Sequence, residues 1–130
     1  MVRYYLIDSN AWIEYFLGSE KGGLLKKLFE VESNKFFTVE CSLAEIKEWC
    51  IKNDKDFGSK LEIIKANSNK IKINESDWVK AAVEKINQRK SEKDFGLIDA
   101  VILVKAKESK LVIITGDSHF RKLNDVLFLN

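Results

Sequence analysis

Two kinds of apolar run alternate along the chain. Short β-branched and aromatic runs read as strands buried on both faces: Val2 to Ile7, Lys35 to Val39, Lys70 to Ile73, Leu111 to Thr115 and Asp125 to Leu129. Between them the apolar residues recur at helical spacing. Ala11 to Leu17 reads as a helix closed by Gly18, and Leu24, Leu25, Leu28 and Phe29 mark a second. Ser42 to Lys52 is a third, with Leu43, Ile46, Trp49 and Cys50 on one face. Ser42 followed by Glu45 has the spacing of a capping box. Leu61, Ile63 and Ile64 lie in a fourth helix that ends near Asn67-Ser68-Asn69. Trp78, Ala82, Val83 and Ile86 define a long helix from near Glu75; Ile98, Val101, Ile102 and Lys105 define another, opened around Asp94 to Gly96. Strands alternating with helices, and apolar on both faces, predict an α/β fold with a mostly parallel five-stranded sheet flanked by helices.

Composition narrows the picture without naming a function. The 130 residues suffice for one domain with a real core, and the absence of proline, of Gly/Ser-rich linkers and of repeats predicts a single domain over 1–130. A net charge of +2 does not identify a nucleic-acid binder, although a basic rim around an acidic centre would cancel in the sum. The apolar start stops at Asp8, so no secretory signal is expected, and no run approaches a membrane span. Cys41 and Cys50 read as reduced thiols, and with one histidine in the chain a zinc site is not expected. These features predict a cytoplasmic protein with no membrane attachment.

The chemistry is concentrated in four acidic islands. They are Leu6-Ile7-Asp8-Ser9-Asn10, Ser42-Leu43-Ala44-Glu45-Ile46, Leu97-Ile98-Asp99-Ala100 and Ile113-Ile114-Thr115-Gly116-Asp117. Each carboxylate has a local explanation. Asp8 can cap the helix at Ala11, Glu45 can belong to the capping box, Asp99 suits a first helical turn and Asp117 suits a turn after Gly116. Yet Asp8 and Asp117 directly follow predicted strands, while Glu45 and Asp99 sit on the opening turns of helices. In parallel sheets ligands bind outside the carboxyl ends of the strands, near the point where strand order reverses. All four can meet there. Four neighbouring anions raise one another's pKa, and a bound divalent cation reverses that penalty. Glu40, at the end of the second strand, competes with Glu45 for the same role.

In order, spacing and total length the islands resemble the PIN-domain ribonucleases, most closely the VapC-type toxins. Ile7-Asp8-Ser9-Asn10, Leu43-Ala44-Glu45-Ile46, Ile98-Asp99-Ala100 and Thr115-Gly116-Asp117-Ser118-His119-Phe120 carry the resemblance. It implies a three-layer α/β/α PIN-like domain and a ribonuclease that uses Mg²⁺ or Mn²⁺. Asp8, Glu45, Asp99 and Asp117 are then both catalytic and metal-binding. The ions would activate water, fix in-line geometry and neutralise the leaving oxygen. Ser9, Asn10 and Thr115 are expected to orient carboxylates or contact phosphate. His119 is expected to act in position or at the surface, and Asp94 to cap a helix. The resemblance further implies an RNA substrate, an antitoxin protein and a homodimer, with the first two helices as a surface for either partner. Trp12, Tyr15 and Phe16 on that first helix are expected in the core or an interface. An RNA-maturation nuclease and a non-catalytic RNA- or protein-binding module are alternatives. A phosphoryl-accepting receiver fits poorly, because one acid lies on a helix rather than after the first strand.

Overall fold

A computed structural model describes residues 2–130. The chain runs β1 (Arg3–Ile7), α1 (Ser9–Leu17), α2 (Glu20–Phe29), β2 (Asn34–Val39), α3 (Ser42–Lys52) and α4 (Phe57–Asn67). It continues through β3 (Asn69–Ile71), α5 (Glu75–Gln88), α6 (Leu97–Ser109), β4 (Val112–Thr115), a 3-10 turn Ser118–Phe120 and β5 (Val126–Phe128). The five strands form one sheet in the order β3-β2-β1-β4-β5. All four strand pairs are parallel, where a mostly parallel sheet was expected. The reason lies in the connections, since helical crossovers join β1 to β2, β2 to β3 and β3 to β4.

Alternation along β1 assigns the layers. Tyr5 and Ile7 pack into one cluster with Trp12, Leu25, Ile46 and Ile64 from α1 to α4. Leu6 packs into the other, with Ala81 of α5 and the α6 run Ala100 to Val104. The result is a three-layer α/β/α arrangement. Two sequence details shape the first layer. Gly18 ends α1 at φ 68, a conformation that suits glycine. Gly22 lies so close to α1 that a Cβ there would collide with the Glu14 carbonyl.

Three local expectations are corrected. Ser42 does not cap α3; the cap residue is Cys41, and the Ser42 hydroxyl is buried without a partner. Glu45 does not close a capping box, because its carboxylate takes a hydrogen bond from Ser9 across the sheet end instead. Asp94 is exposed, and Gly96 occupies the N-cap of α6. The helix over Trp78 to Ile86 forms as expected, but it buries Asp77 and Ala81 and leaves its large apolar residues outside. Asp77 meets Lys105 of α6 at 3.0 Å, which ties the two helices through a buried ion pair.

Candidate active site

The order of strands places β1 between β2 and β4, and the connections that leave β1 and β4 run in opposite directions, to β2 and to β5. That is the switch point of the sheet, and Asp8 and Asp117 stand at its two lips. Asp8 ends β1 and caps α1, its Oδ1 accepting the Ser9 amide at 2.9 Å. Its Oδ2 accepts the Thr115 hydroxyl at 2.8 Å, from the last residue of β4. The same hydroxyl oxygen accepts the Asp117 amide at 3.0 Å, so one threonine fixes both acids.

The other two carboxylates arrive on helices. Glu45, in the first turn of α3, accepts the Ser9 hydroxyl on Oε1 at 2.9 Å. Asp99, in the first turn of α6, accepts the Gly96 amide on Oδ2 at 2.9 Å. Asp117 accepts the His119 amide on Oδ1 at 2.9 Å and so caps the 3-10 turn. The local capping readings of Asp8, Asp99 and Asp117 therefore hold alongside their convergence. Among the described residues no donor reaches Glu45 Oε2, Asp99 Oδ1 or Asp117 Oδ2. Capping in Asp99 and Asp117, and the Ser9 bond in Glu45, use one oxygen of each group and leave the second free.

Electrostatics report the crowding. Burial pushes Asp8 up to about 7, against the Thr115 hydrogen bond, and the charges of Glu45, Asp99 and Asp117 add to the rise. Glu45 is raised first by burial, then by Asp99 and Asp117. Asp99 is raised by burial and by Asp117, against bonds from Gly96 and His119. All four expected acids thus meet at one end of the sheet. The rival Glu40 is turned away and accepts the Ile73 amide at 3.3 Å.

Of the neighbouring polar residues, Ser9 and Thr115 touch the carboxylates. Asn10 instead accepts the Gly116 amide at 2.8 Å and so holds the turn that presents Asp117. A Cβ at Gly116 would stand 2.8 Å from that Asn10 oxygen, so the close approach needs glycine. His119 lies nearer the centre than a surface role requires. Its Nδ1 is 3.0 Å from Asp99 Oδ2 and 3.4 Å from Asp117 Oδ1. Burial lowers its pKa, but the Asp99 hydrogen bond and both acids outweigh that and raise it. Its placement was visible in the sequence only as a histidine two residues past Asp117. Trp12 is fully buried and donates Nε1–H to Thr38 Oγ1 at 3.0 Å, which makes it core rather than a base-stacking platform.

Asp99, Asp117 and His119 offer ligand atoms within 4.8 Å of one another. Asp8 and Glu45 stand outside that tight trio, with Asp8 deeper and already bonded on both oxygens. Oxygen donors with unused lone pairs, beside acids that resist ionising together, fit a hard divalent cation. A cavity of about 520 Å³ lies elsewhere: Lys107, Lys110, Leu123 and Asp125 line it at the amino ends of β4 and β5. Both cysteines are free, and burial with the nearby acids pushes the Cys41 thiol up to about 11. Among the described residues no helix is long and apolar enough to cross a membrane.

Comparison with known proteins agrees with this fold. No curated protein matches the chain. Among solved structures, a toxin–antitoxin complex from Klebsiella pneumoniae aligns at 20% identity and TM-score 0.70, over 97% of this chain and 98% of that one. VapBC2 from Rickettsia felis, bound to a DNA fragment from its promoter, aligns at 16% identity and TM-score 0.72 over 96% of each chain. The sarcin–ricin loop cleaving toxin VapC20 of Mycobacterium tuberculosis aligns at 14% identity and TM-score 0.75, over 92% and 95%. At these identities the likeness is one of fold. The PIN domain family model matches residues 5–126, nearly the full length, and the chain belongs to the PIN domain family.

Proposed function

We propose that this chain is a divalent-metal-dependent endoribonuclease, the toxin of a VapC-type toxin–antitoxin pair, and that it works as a homodimer. The observation that carries the reading is the convergence of Asp8, Glu45, Asp99 and Asp117 from four separate elements, with Asp8 raised to about 7. An anionic cluster of this kind is costly on its own and becomes favourable around a cation. Glu45, Asp99 and Asp117 would hold Mg²⁺ or Mn²⁺ with Asp8, directly or through water. Such an ion supplies a Lewis acid for the phosphoryl oxygens and a means of activating water at neutral pH. The chain's own residues then have defined tasks. Thr115 and the Ser9 amide fix the Asp8 carboxylate, and the Ser9 hydroxyl fixes Glu45. The Asn10–Gly116 bond holds the turn that carries Asp117. His119 steadies Asp99.

The fold neighbours support the partner half of the reading, since they include toxin–antitoxin complexes and a toxin described as cleaving the sarcin–ricin loop. The test is cleavage of a panel of structured RNAs with Mg²⁺, Mn²⁺ or EDTA. Wild type should cut with metal and not with EDTA, and Asp8→Ala should not cut. A folded wild type that cuts no RNA and binds neither ion would leave a non-catalytic binding module. Growth arrest on expression, relieved by a neighbouring gene's product, would separate a toxin from a nuclease that works outside such a pair.

A further inference from the structure

Helix α5 is built inside out. Its buried positions are Asp77 and Ala81, one charged and one small. Its large apolar residues face solvent, with Val79 64%, Val83 59% and Ile86 67% exposed. The inner side is fastened to α6 by polar pairs: Lys80 with Glu108, Glu84 with Lys107, and Asp77 with Lys105. A helix that meets its own domain through charges and points its valines and isoleucine outward presents a surface for a partner.

The order of residues along that outer stripe says which partner. Glu75, Val79, Ala82, Ile86 and Arg89 follow one another at the alternating spacing of a coiled-coil seam, and all five are exposed. The seam is nearly symmetric in size about Ala82, with Val79 three residues before it and Ile86 four after, and antisymmetric in charge. Glu75 and Arg89 stand one heptad either side of Ala82, with Val79 and Ile86 between. A second α5 laid antiparallel, with a two-fold axis at Ala82, sets Glu75 against Arg89 and Ala82 against itself, with Val79 beside Ile86 one residue out of strict register. The small central residue lets the axes approach, and the opposed helix dipoles add to the charge match. Arg89 has one N–H committed, Nε donating to the Phe95 carbonyl at 2.8 Å, and its terminal nitrogens remain available. This is the self-complementary patch that an isologous dimer requires.

We propose that the outer face of α5 is the contact between two copies of this chain, paired antiparallel through Glu75, Val79, Ala82, Ile86 and Arg89. The inference names the surface of the homodimer proposed above and rests on that part of the reading alone. It moves the contact away from α1 and α2, whose Trp12 is fully buried and whose exposed large apolar residues are Leu17 and Leu24.

Sedimentation velocity on the full chain, from micromolar to hundreds of micromolar, tests it. Wild type should be dimeric, and Ile86→Glu should raise the dissociation constant by more than about tenfold. Ile86 is exposed, so melting and circular dichroism should keep the fold. Charge reversal gives the second arm. Glu75→Arg places cations at both ends of its dimer, and Arg89→Glu places anions at both ends of its own. Each alone should dissociate, and an equimolar mixture should reassociate. A wild-type dimer untouched by these changes overturns the α5 contact and leaves the homodimer standing on another face. A wild type that stays monomeric overturns both and assigns the stripe to a different protein.

Discussion

Thr115 does more for the site than its single hydroxyl implies, because that oxygen donates to Asp8 and accepts from Asp117 at once. Thr115→Val keeps the shape and removes both bonds. Losing a group that orients metal-holding carboxylates typically costs about 10–100-fold in affinity or activity, so RNA cleavage should fall by that amount while Thr115→Ser retains it. The Thr115 bond lowers the Asp8 pKa, so the valine variant should also shift the acidic limb of the pH–rate profile toward higher pH. Asp8 itself carries a stability signature. Its folded pKa of about 7 lies above the ordinary carboxylate value, so between those two pH values the folded state binds a proton that the unfolded chain has lost. Stability without metal should therefore fall as pH rises through that window, and the decline should be complete above pH 7. Asp8→Asn removes the titration and should flatten the decline, by roughly 2–4 kcal/mol at pH 8 in EDTA. Urea unfolding at several pH values measures this; an equally steep decline in the variant would place the raised group elsewhere. The four acids were legible in the sequence because each follows a strand or opens a helix. The role of His119 was not, since its contact with Asp99 depends on how the loop after Gly116 folds back.

Apolar periodicity gave the six helices and five strands in order, with boundaries within a few residues, because each run matches a single period. It did not say which face of a helix turns inward. Helix α5 shows why. Its apolar stripe is the plainest mark of the helix in the sequence, and the structure turns that stripe outward. The inner contact is decided by Lys105, which lies in an otherwise apolar stretch of α6 and needs an anion beside it. Asp77 supplies that anion at 3.0 Å, and Glu108 adds a second contact at 3.2 Å. Asp77 also closes a reciprocal cap with Asn74, so the start of α5 and its docking share one carboxylate. Lys105→Met should cost about 2–3 kcal/mol in urea unfolding, below the fully buried range because Glu108 reaches water. The double change Lys105→Met with Asp77→Asn should recover part of that loss, as the amide keeps its cap and no buried charge is stranded. No recovery would mean that the pair contributes mainly through packing of the lysine stem.

The whole molecule converts strand order into a charge problem. An all-parallel sheet puts every strand's carboxyl end on one edge, and the reversal beside β1 opens that edge between Asp8 and Asp117. Helices starting from the same edge add Glu45 and Asp99, because the first turn of a helix favours an acid. The sequence shows these placements one by one; their sum, a cluster that raises its own pKa values, exists only in the folded chain. Folding and cation binding should therefore be linked, with a definite dependence on pH. At pH 8 the acids are ionised, their repulsion is greatest, and Mg²⁺ or Mn²⁺ at about 100 times its dissociation constant should stabilise by about 2.7 kcal/mol, a melting shift of several degrees. At pH 5 Asp8 is protonated, since its pKa is about 7, and the shift should largely vanish. Sodium chloride at matched ionic strength separates a site from general screening, because screening weakens repulsion everywhere without needing Asp8. Asp8→Asn should remove most of the Mg²⁺ shift at pH 8 and leave the sodium effect unchanged. Equal shifts in wild type and variant would mean that the cations bind elsewhere, and the open oxygens of Glu45, Asp99 and Asp117 would then need another explanation.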